Sequence, residues 1–243
     1  MRLLPLVKVP ILSFAVSAGL LIACGRQTKG PTGASSPAAP PRPFAVFRVE
    51  DSVDPLADFP TSSFPAGASL LTERVPLPRG RVTVHVMSFI AGETPDATLA
   101  RARAFGDKAP HPLGTFFAFE PVFAHEGTPG DASPIAYRSL LLAEPAMVDD
   151  RDIIEAKVEE RIIEWPSVSI QLNDAGKERF EAGTRAWRNR RIAIALDGTV
   201  TMAPLIESAI SGGRVDITAI GDTPGARKRH AERIMATLRK RTP

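Results

Sequence analysis

Residues 168–202 read VSIQLNDAGKERFEAGTRAWRNRRIAIALDGTVTM and contain three signals of secondary structure in succession. The alternation of apolar and polar residues at 168–172 predicts a half-buried strand. Asn173-Asp174 predicts the start of a helix, because a short polar side chain accepts a hydrogen bond from the free N–H groups of the first turn. Asp197-Gly198 between two apolar runs predicts a β-hairpin with a type I′ turn.

The flanking segments extend this order of elements. Residues 156–160 and 168–172 lie on either side of Trp165-Pro166, which predicts a hairpin, and residues 215–219 predict another strand. Asp222-Thr223-Pro224 predicts the start of a last helix. The fold class that follows is α+β, with antiparallel strands and helices packed on one face of the sheet.

Helical spacing also predicts which side chains form the core. Four apolar residues of the last helix are spaced to face inward, with the arginines outward: Ala231, Ile234, Met235 and Leu238. Three aromatic side chains are expected in the core rather than in a peptide-binding groove: Phe180, Trp187 and Trp165.

The chain from residue 44 to residue 134 contains eleven of the 23 prolines, which predicts a loop-rich region. Short strands are predicted at 44–49, 81–86, 115–123 and 136–142. Thr94-Pro95 predicts the start of a helix of about ten residues, because it combines a capping side chain with proline at the first helical position.

The N-terminal segment has the features of a secretory signal. Arg2 and Lys8 precede an apolar stretch of about 15 residues, which is shorter than the roughly 20 needed to span a bilayer. Residues 21–24, Leu-Ile-Ala-Cys, resemble the lipobox of bacterial lipoproteins, in which the cysteine becomes the acylated first residue. The prediction is therefore a signal peptide at 1–23, acyl chains such as palmitate on Cys24, and a Pro/Gly/Ser-rich tether over 24–43. An uncleaved signal-anchor helix is the alternative.

The net charge of +3 depends on where the charged residues lie. Removal of residues 1–23 takes away two basic residues and no acid, which reduces the formal charge to +1. Residues 225–243 alone carry +6, so the rest of the mature chain is acidic. The basic last helix and the arginines at 185–191 could contact phospholipid headgroups, but a solvated face is the simpler interpretation. Nucleic acid is not an expected partner of an exported chain.

No sequence pattern predicts catalysis, a metal site or a cofactor. The four histidines are scattered and the cysteine at 24 is the only one, so no metal-ligand spacing occurs. The Ser211–Arg214 bend lacks the spacing of a phosphate-binding loop and predicts a structural turn. Asp149–Asp152 lacks the glycine and the bidentate glutamate of a calcium loop, and predicts acids in the first turn of a short helix. The lone candidate site residue is thus Cys24, for lipidation.

Four short motifs follow one another between residues 172 and 213. They are Leu172-Asn173 before a helix with Gly176 and Phe180, Ala193-x-x-Leu196-Asp197-Gly198, Ala203-Pro204, and Ile210-Ser211-Gly212-Gly213. In this order they resemble the head subdomain of the large first periplasmic domain of SecD and SecDF proteins. The resemblance covers about residues 140–240. Residues 44–135 are similar only through Phe47-Arg48-Val49, and Ala219 stands where the family commonly has glycine.

The resemblance implies a domain organisation. Residues 1–23 are expected to be the signal peptide and 24–43 the lipidated cysteine and tether. Residues 44–139 would form a loop-rich α+β region, related to the base of the SecD periplasmic domain. Residues 140–243 would form the SecD head-like subdomain.

The resemblance also implies a function. The expected protein is a non-enzymatic lipoprotein of the bacterial cell envelope, facing the periplasm from the inner or the outer membrane, that binds polypeptide in protein export by strand addition. Exported polypeptide or Sec translocon components are the expected partners, with no small-molecule substrate. SecD proteins couple ion flow through transmembrane helices, and no such helix is expected in this sequence. The alternative is a structural or protein-interaction lipoprotein with no export role.

Overall fold

The computed structural model describes residues 42–92, 94–123, 133–160, 165–221 and 223–240. The strands are, in chain order, β1 (Ala45–Val49), β2 (Ala68–Leu77), β3 (Gly80–Ile90), β4 (Thr115–Val122), β5 (Ala136–Asp149), β6 (Ile153–Glu159), β7 (Ser167–Leu172), β8 (Ile192–Leu196), β9 (Thr199–Met202) and β10 (Arg214–Thr218). The α-helices of these ranges are α1 (Pro95–Gly106), α2 (Asp174–Ala186) and α3 (Pro224–Arg239).

The long strand β5 is the centre of the larger sheet. It pairs with β4 along one side, and with β3 and then β1 along the other. β1 also pairs with β8, which continues into β9, and every pairing is antiparallel. The five-residue strand β1, near the start of the described chain, therefore lies between β5 and β8.

The smaller sheet has the order β10-β7-β6. One apolar core joins it to the larger sheet through α2 and α3, and its members include Phe44, Val46, Ile170, Phe180 and Ile234. The α+β class with antiparallel sheets is confirmed. The strands expected in one sheet, however, divide between two, because β8 and β9 pair with β1 rather than with β7 or β10.

A second core holds α1 against the larger sheet. Phe105 of α1 packs among Phe89, Phe119 and Tyr137 of three strands, and Phe89 meets Phe119 edge to face with ring centroids 5.7 Å apart. The loop after β1 contributes the fully buried Leu56. Apart from Tyr137, the members of this second core lie within residues 44–135, and they pack against the larger sheet.

The predicted helix starts and the predicted hairpin turn are confirmed. Thr94, Asn173 and Thr223 each accept a hydrogen bond from the N–H three residues later, at 3.3, 2.8 and 3.1 Å. Asp197 and Gly198 have φ of 50° and 73°, the left-handed values that a type I′ turn requires. Hydrogen bonds and backbone angles within a few residues therefore decide where these helices start and where this hairpin turns.

The expected boundary between residues 139 and 140 falls inside β5. Residues on both sides of it belong to one continuous strand, which pairs with β3 before the boundary and with β1 after it.

Among the described residues, no helix combines the length and the apolar character needed to span a membrane.

Candidate functional site

Cys24 lies outside the described residues, so its lipidation stays a prediction. His125 also lies outside them. Of the other histidines, His85 contacts Asp54 through Nδ1 at 2.7 Å, and His230 accepts a hydrogen bond at Nδ1 from the Ile220 N–H at 2.9 Å. Within the part of the chain that the structure describes, no cluster of three or more His, Cys, Asp and Glu side chains is arranged to hold a metal ion.

The acidic run Asp149–Asp152 caps a single 3₁₀ turn at Asp150–Asp152, as its sequence predicts. The Asp149 side chain accepts from the Arg151 N–H, and the Asp152 side chain accepts from the Asp149 N–H at 3.0 Å. Burial alone would raise the pKa of Asp149, but hydrogen bonds from Arg151 and the charge of Arg42 outweigh it and lower the pKa. Asp152 also pairs with Arg179 at 2.5 Å. Both carboxylates are thus held by cations of the chain.

The Gly212-Gly213 bend is a structural turn, as predicted. Both glycines have positive φ, and both carbonyl oxygens accept from Gln171 Nε2, at 3.0 and 3.2 Å. A Cβ on Gly213 would lie 2.7 Å from Lys177 Cβ, so this glycine lets the bend approach α2 closely. The turn fixes the start of β10 beside the helix.

The arginines at 185–191 have partners within the fold. Arg185 pairs with Glu181 at 2.5 Å, Arg188 donates to the Glu207 carbonyl at 2.9 Å, and Arg190 lies over the Trp187 ring at 4.5 Å. Arg191 makes two hydrogen bonds to the buried carboxylate of Asp51, at 2.6 and 2.9 Å. Burial alone would lower the pKa of Arg191, and the bonds to Asp51 raise it instead. Acids of the fold therefore neutralise Arg185 and Arg191, whereas a carbonyl oxygen holds Arg188 and an aromatic ring holds Arg190.

Among the described strands, β7 alone pairs with β6, and the opposite edge of β6 is the candidate functional site. Two of its apolar side chains are unusually exposed, Ile154 at 64% and Val158 at 43%. Ile154 is the extra residue of a bulge, since Ile153 pairs with Leu172 and Glu155 with Gln171. An edge strand with exposed apolar residues is a template for pairing with another extended chain.

The ladder hydrogen bonds decide which backbone groups of β6 point outward. Leu172 N–H donates to the Gly213 carbonyl, and Ala219 N–H donates to the Pro166 carbonyl, so the even-numbered residues of β7 bond to β10. The odd-numbered residues of β7 then bond to their partners in β6, because bonding direction alternates along an antiparallel strand. By this alternation the N–H and C=O groups of Ala156 and Val158 point away from β7.

An aromatic side chain lies beyond the end of this edge. Trp165 is 45% exposed, and the Arg227 guanidinium lies over its ring at 4.2 Å. Two predictions were wrong here. Trp165 is not a core residue. Arg227 of α3 does not face outward, because it is only 6% exposed and donates to the Gly221 carbonyl at 3.0 Å. Phe180 is buried and Trp187 half-buried, as predicted.

The arrangement can bind an extended chain without any catalytic group. The backbone of β6 supplies donors and acceptors at Ala156 and Val158, and the exposed apolar side chains supply contacts for alternate residues of a ligand. The sequence reasoning predicted strand addition but did not identify β6 as the edge. The adjacent residues Ile153 and Ile154 are the signal that could have found it, because successive residues of a regular strand face opposite sides.

Residues 128–237 match the family model described as "SecDF, P1 head subdomain". The protein translocase subunit SecD of Sebaldella termitidis is 35% identical over 74 residues, which are 30% of this chain and 18% of that protein. The protein translocase subunit SecDF of Thermus thermophilus is 33% identical over 82 residues, 34% of this chain and 11% of that protein. The matched part is thus less than a fifth of either relative. The resemblance of the C-terminal half to the SecD/SecDF head subdomain is confirmed.

Solved SecDF structures also align with this chain. One, described as a membrane component that enhances protein export, is 20% identical with a TM-score of 0.34, over 81% of this chain and 92% of that chain. Another, a translocon-associated membrane protein from Thermus thermophilus, is 18% identical with a TM-score of 0.33, over 82% of this chain and 29% of that chain.

Proposed function

Because residues 128–237 match the SecDF P1 head subdomain, we propose that this protein binds polypeptide segments during protein export, by adding them as a strand to the free edge of β6. The function is one of binding, without catalysis. The relatives supply the export context, since they are described as protein translocase subunits and as a component that enhances protein export. The edge of β6 supplies the binding chemistry.

The observation that carries the proposal is the combination of outward backbone groups and exposed apolar side chains on β6. Burial of Ile154 and Val158 by a ligand strand would contribute about 25 cal/mol for each Å² of apolar surface removed from water. The backbone bonds carry no sequence preference, so the edge would accept many extended segments. That breadth suits polypeptides that are exported before they fold.

We also propose that the chain is attached to a membrane of the cell envelope, facing the periplasm, through acyl chains on Cys24. The lipobox resemblance at residues 21–24 supports this attachment, and two or more acyl chains suffice for stable anchoring. Mass spectrometry of the mature N-terminus tests it. An acylated residue 24 at the N-terminus is expected, and an uncleaved chain with an unmodified thiol would refute the anchor.

The division of the chain is part of the same proposal. Residues 140–243 would correspond to the head-like subdomain and residues 44–139 to the base part, joined through the shared strand β5. Binding at β6 would then be a property of the head-like part, and mutations in α1 would change stability without changing which segments bind.

Proline substitution tests strand addition without breaking the sheet. Val158→Pro removes an outward N–H, and proline is tolerated on an edge strand whose N–H faces solvent. Thr218→Pro is the matched control, because by the same alternation Thr218 of β10 also points its N–H outward, at the opposite edge. We expect Val158→Pro to weaken binding of an unfolded, apolar precursor at least tenfold and Thr218→Pro to leave it unchanged, as measured by fluorescence anisotropy of the labelled precursor.

Photo-crosslinking in cells distinguishes the export role from the alternative. A crosslinking residue at position 158 is expected to capture several unfolded precursors or translocon subunits. Capture of one fixed envelope protein would instead support the structural or interaction module, and equal capture from position 218 would refute the assignment of the site to β6.

A further inference from the structure

The outer face of α3 is strongly cationic. Its exposed charged residues include a single acid, Glu232, and five bases: Lys228, Arg229, Arg233, Arg239 and Lys240 at its end. We propose that this face lies against the anionic headgroups of a phospholipid surface. The inference goes beyond polypeptide binding, and it concerns a surface other than the edge of β6.

The cationic face is fixed in position by the core. Ala231, Ile234 and Leu238 are between 1% and 2% exposed and belong to the core shared by the two sheets. The helix cannot turn without exposing them, so its opposite face must point away from the sheets. Lys228 and Lys240 are twelve residues apart, so at about 1.5 Å per residue the charged ridge is about 18 Å long.

Three of these cations have no acidic partner in the described part of the fold. Lys228, Arg233 and Arg239 form no ion pair with any described residue, whereas Lys240 approaches Asp197 at 3.4 Å. The arginines at 185–191, the other basic group that the sequence singles out, are bound within the fold. The structure thus leaves the positive charge of α3 available to an external anion.

The chemistry of the face favours a lipid surface over an acidic protein. No large apolar side chain of α3 is among the exposed hydrophobic residues of the described chain, and stable protein interfaces usually need a buried apolar or aromatic centre. A layer of anionic headgroups requires only charge, and each Lys or Arg near it contributes about 1 kcal/mol, or about fivefold in affinity.

Contact through α3 would also orient the proposed binding site. The inner face of α3 packs against β6 and β7, so a membrane-bound helix would hold the edge of β6 close to the bilayer. A segment emerging from the membrane would then meet the edge at short range. This consequence rests on the proposed function, but the lipid contact itself does not.

Vesicle binding tests the inference. The full chain with Cys24→Ser avoids acylation, and vesicles of phosphatidylcholine alone measure the affinity that the N-terminal apolar segment supplies. Vesicles containing phosphatidylglycerol measure the added effect of negative charge. The test variant is Lys228→Gln/Arg233→Gln/Arg239→Gln. The matched control is Arg74→Gln/Arg79→Gln/Arg81→Gln, which removes equal charge from exposed positions of the β2–β3 hairpin.

We expect the test variant to lose about a hundredfold in partitioning to anionic vesicles, and the control to lose less than fivefold. Thermal unfolding verifies that both variants are folded. Equal losses in the two variants would overturn the inference, because net charge rather than α3 would be responsible. So would equal binding to both lipid compositions, which would leave an acidic protein as the occupant of this face. Failure of Val158→Pro to affect precursor binding would bear only on the proposed function.

Discussion

The side chains that pack against two glycines of α2 differ in how easily they can move. A Cβ on Gly176 would lie 2.7 Å from Asp152 Cβ, in the capped turn held by Arg179, whereas a Cβ on Gly183 would lie 3.1 Å from the sulfur of Met147. Met147 has a flexible side chain that can move aside. The same substitution at these two positions should therefore have different costs.

We expect Gly176→Ala to lower the free energy of unfolding by about 2 kcal/mol, since the clash outweighs the gain of up to about 1 kcal/mol in helix propensity. Gly183→Ala should stay within about 0.5 kcal/mol of the unmodified chain, because the same gain offsets a smaller rearrangement. Urea unfolding monitored by circular dichroism measures both. Equal losses would mean that the turn at Asp152 yields as easily as Met147.

His230 makes stability depend on pH. Burial and the nearby Arg233 lower its pKa from 6.5 to about 4, and its Nδ1 accepts the Ile220 N–H, so the neutral ring carries its proton on Nε2. The folded state binds the proton less readily than the unfolded state. The stabilisation is therefore complete above about pH 6.5, falls as the pH is lowered, and is lost at about pH 4.

We expect His230 to account for a loss of about 3 kcal/mol in the free energy of unfolding between pH 7 and pH 4. His230→Gln keeps an acceptor for the Ile220 N–H but does not titrate, so its stability should fall less over the same range. Urea titrations of both proteins at several pH values give the difference. Parallel pH profiles would show that the His230 ring is as accessible to protons as in the unfolded chain.

At the scale of elements, β1 is a strand that the C-terminal half needs. It lies between β5 and β8, and Phe44 and Val46, both 0% exposed, complete the core formed with α2 and α3. Residues 133–243 contain all of β5 to β10 but lack this strand. A domain boundary near residue 140 would therefore remove a central strand from the head-like part.

We expect residues 133–243 alone to show the poorly dispersed amide spectrum of an unfolded chain, because β8 loses its pairing with β1 and the core loses two buried side chains. A peptide of residues 42–50 should restore dispersion when it is added, and a scrambled peptide should not. A folded spectrum of the fragment alone would show that β5 and β8 can close together without β1.

Sequence reasoning succeeded at elements whose signals are local. Asp197-Gly198 forms its turn and Asn173 its cap, because backbone geometry and a hydrogen bond three residues away decide them. The division of strands between two sheets was not predictable in the same way, since β8 pairs with residues about 150 positions earlier. Trp165 likewise contacts Arg227, 62 residues later in the chain, so the surroundings of its ring could not be predicted from neighbouring residues.

At the scale of the whole molecule, an ion network joins the start of the described chain to its C-terminal half. Arg191, before β8, binds Asp51, after β1, and also approaches Glu73 of β2 at 3.6 Å. Glu73 pairs with Arg138 of β5 at 2.7 Å. Asp51 and Arg191 are 5% and 11% exposed in their side chains, so neither charge is solvated if the other is removed.

We expect Arg191→Met to lower the free energy of unfolding by about 3–5 kcal/mol, because it leaves the Asp51 carboxylate buried without its cation. Asp51→Leu/Arg191→Met removes both charges and should cost less than the single change. Thermal and urea unfolding of the four members of this double-mutant cycle give the coupling energy. Additive losses would show that the two side chains act independently.

The two tryptophans of the chain also make it a natural fluorescent sensor. Trp187 is half-buried, and its indole N–H donates to the Arg191 carbonyl at 2.9 Å, so its emission reports the packing of α2. Trp165 is exposed near the edge of β6, where it is open to aqueous quenchers. Iodide should therefore quench Trp165 selectively, and a ligand strand that shields it would shift its emission to the blue, which allows occupancy of the edge to be followed without a label.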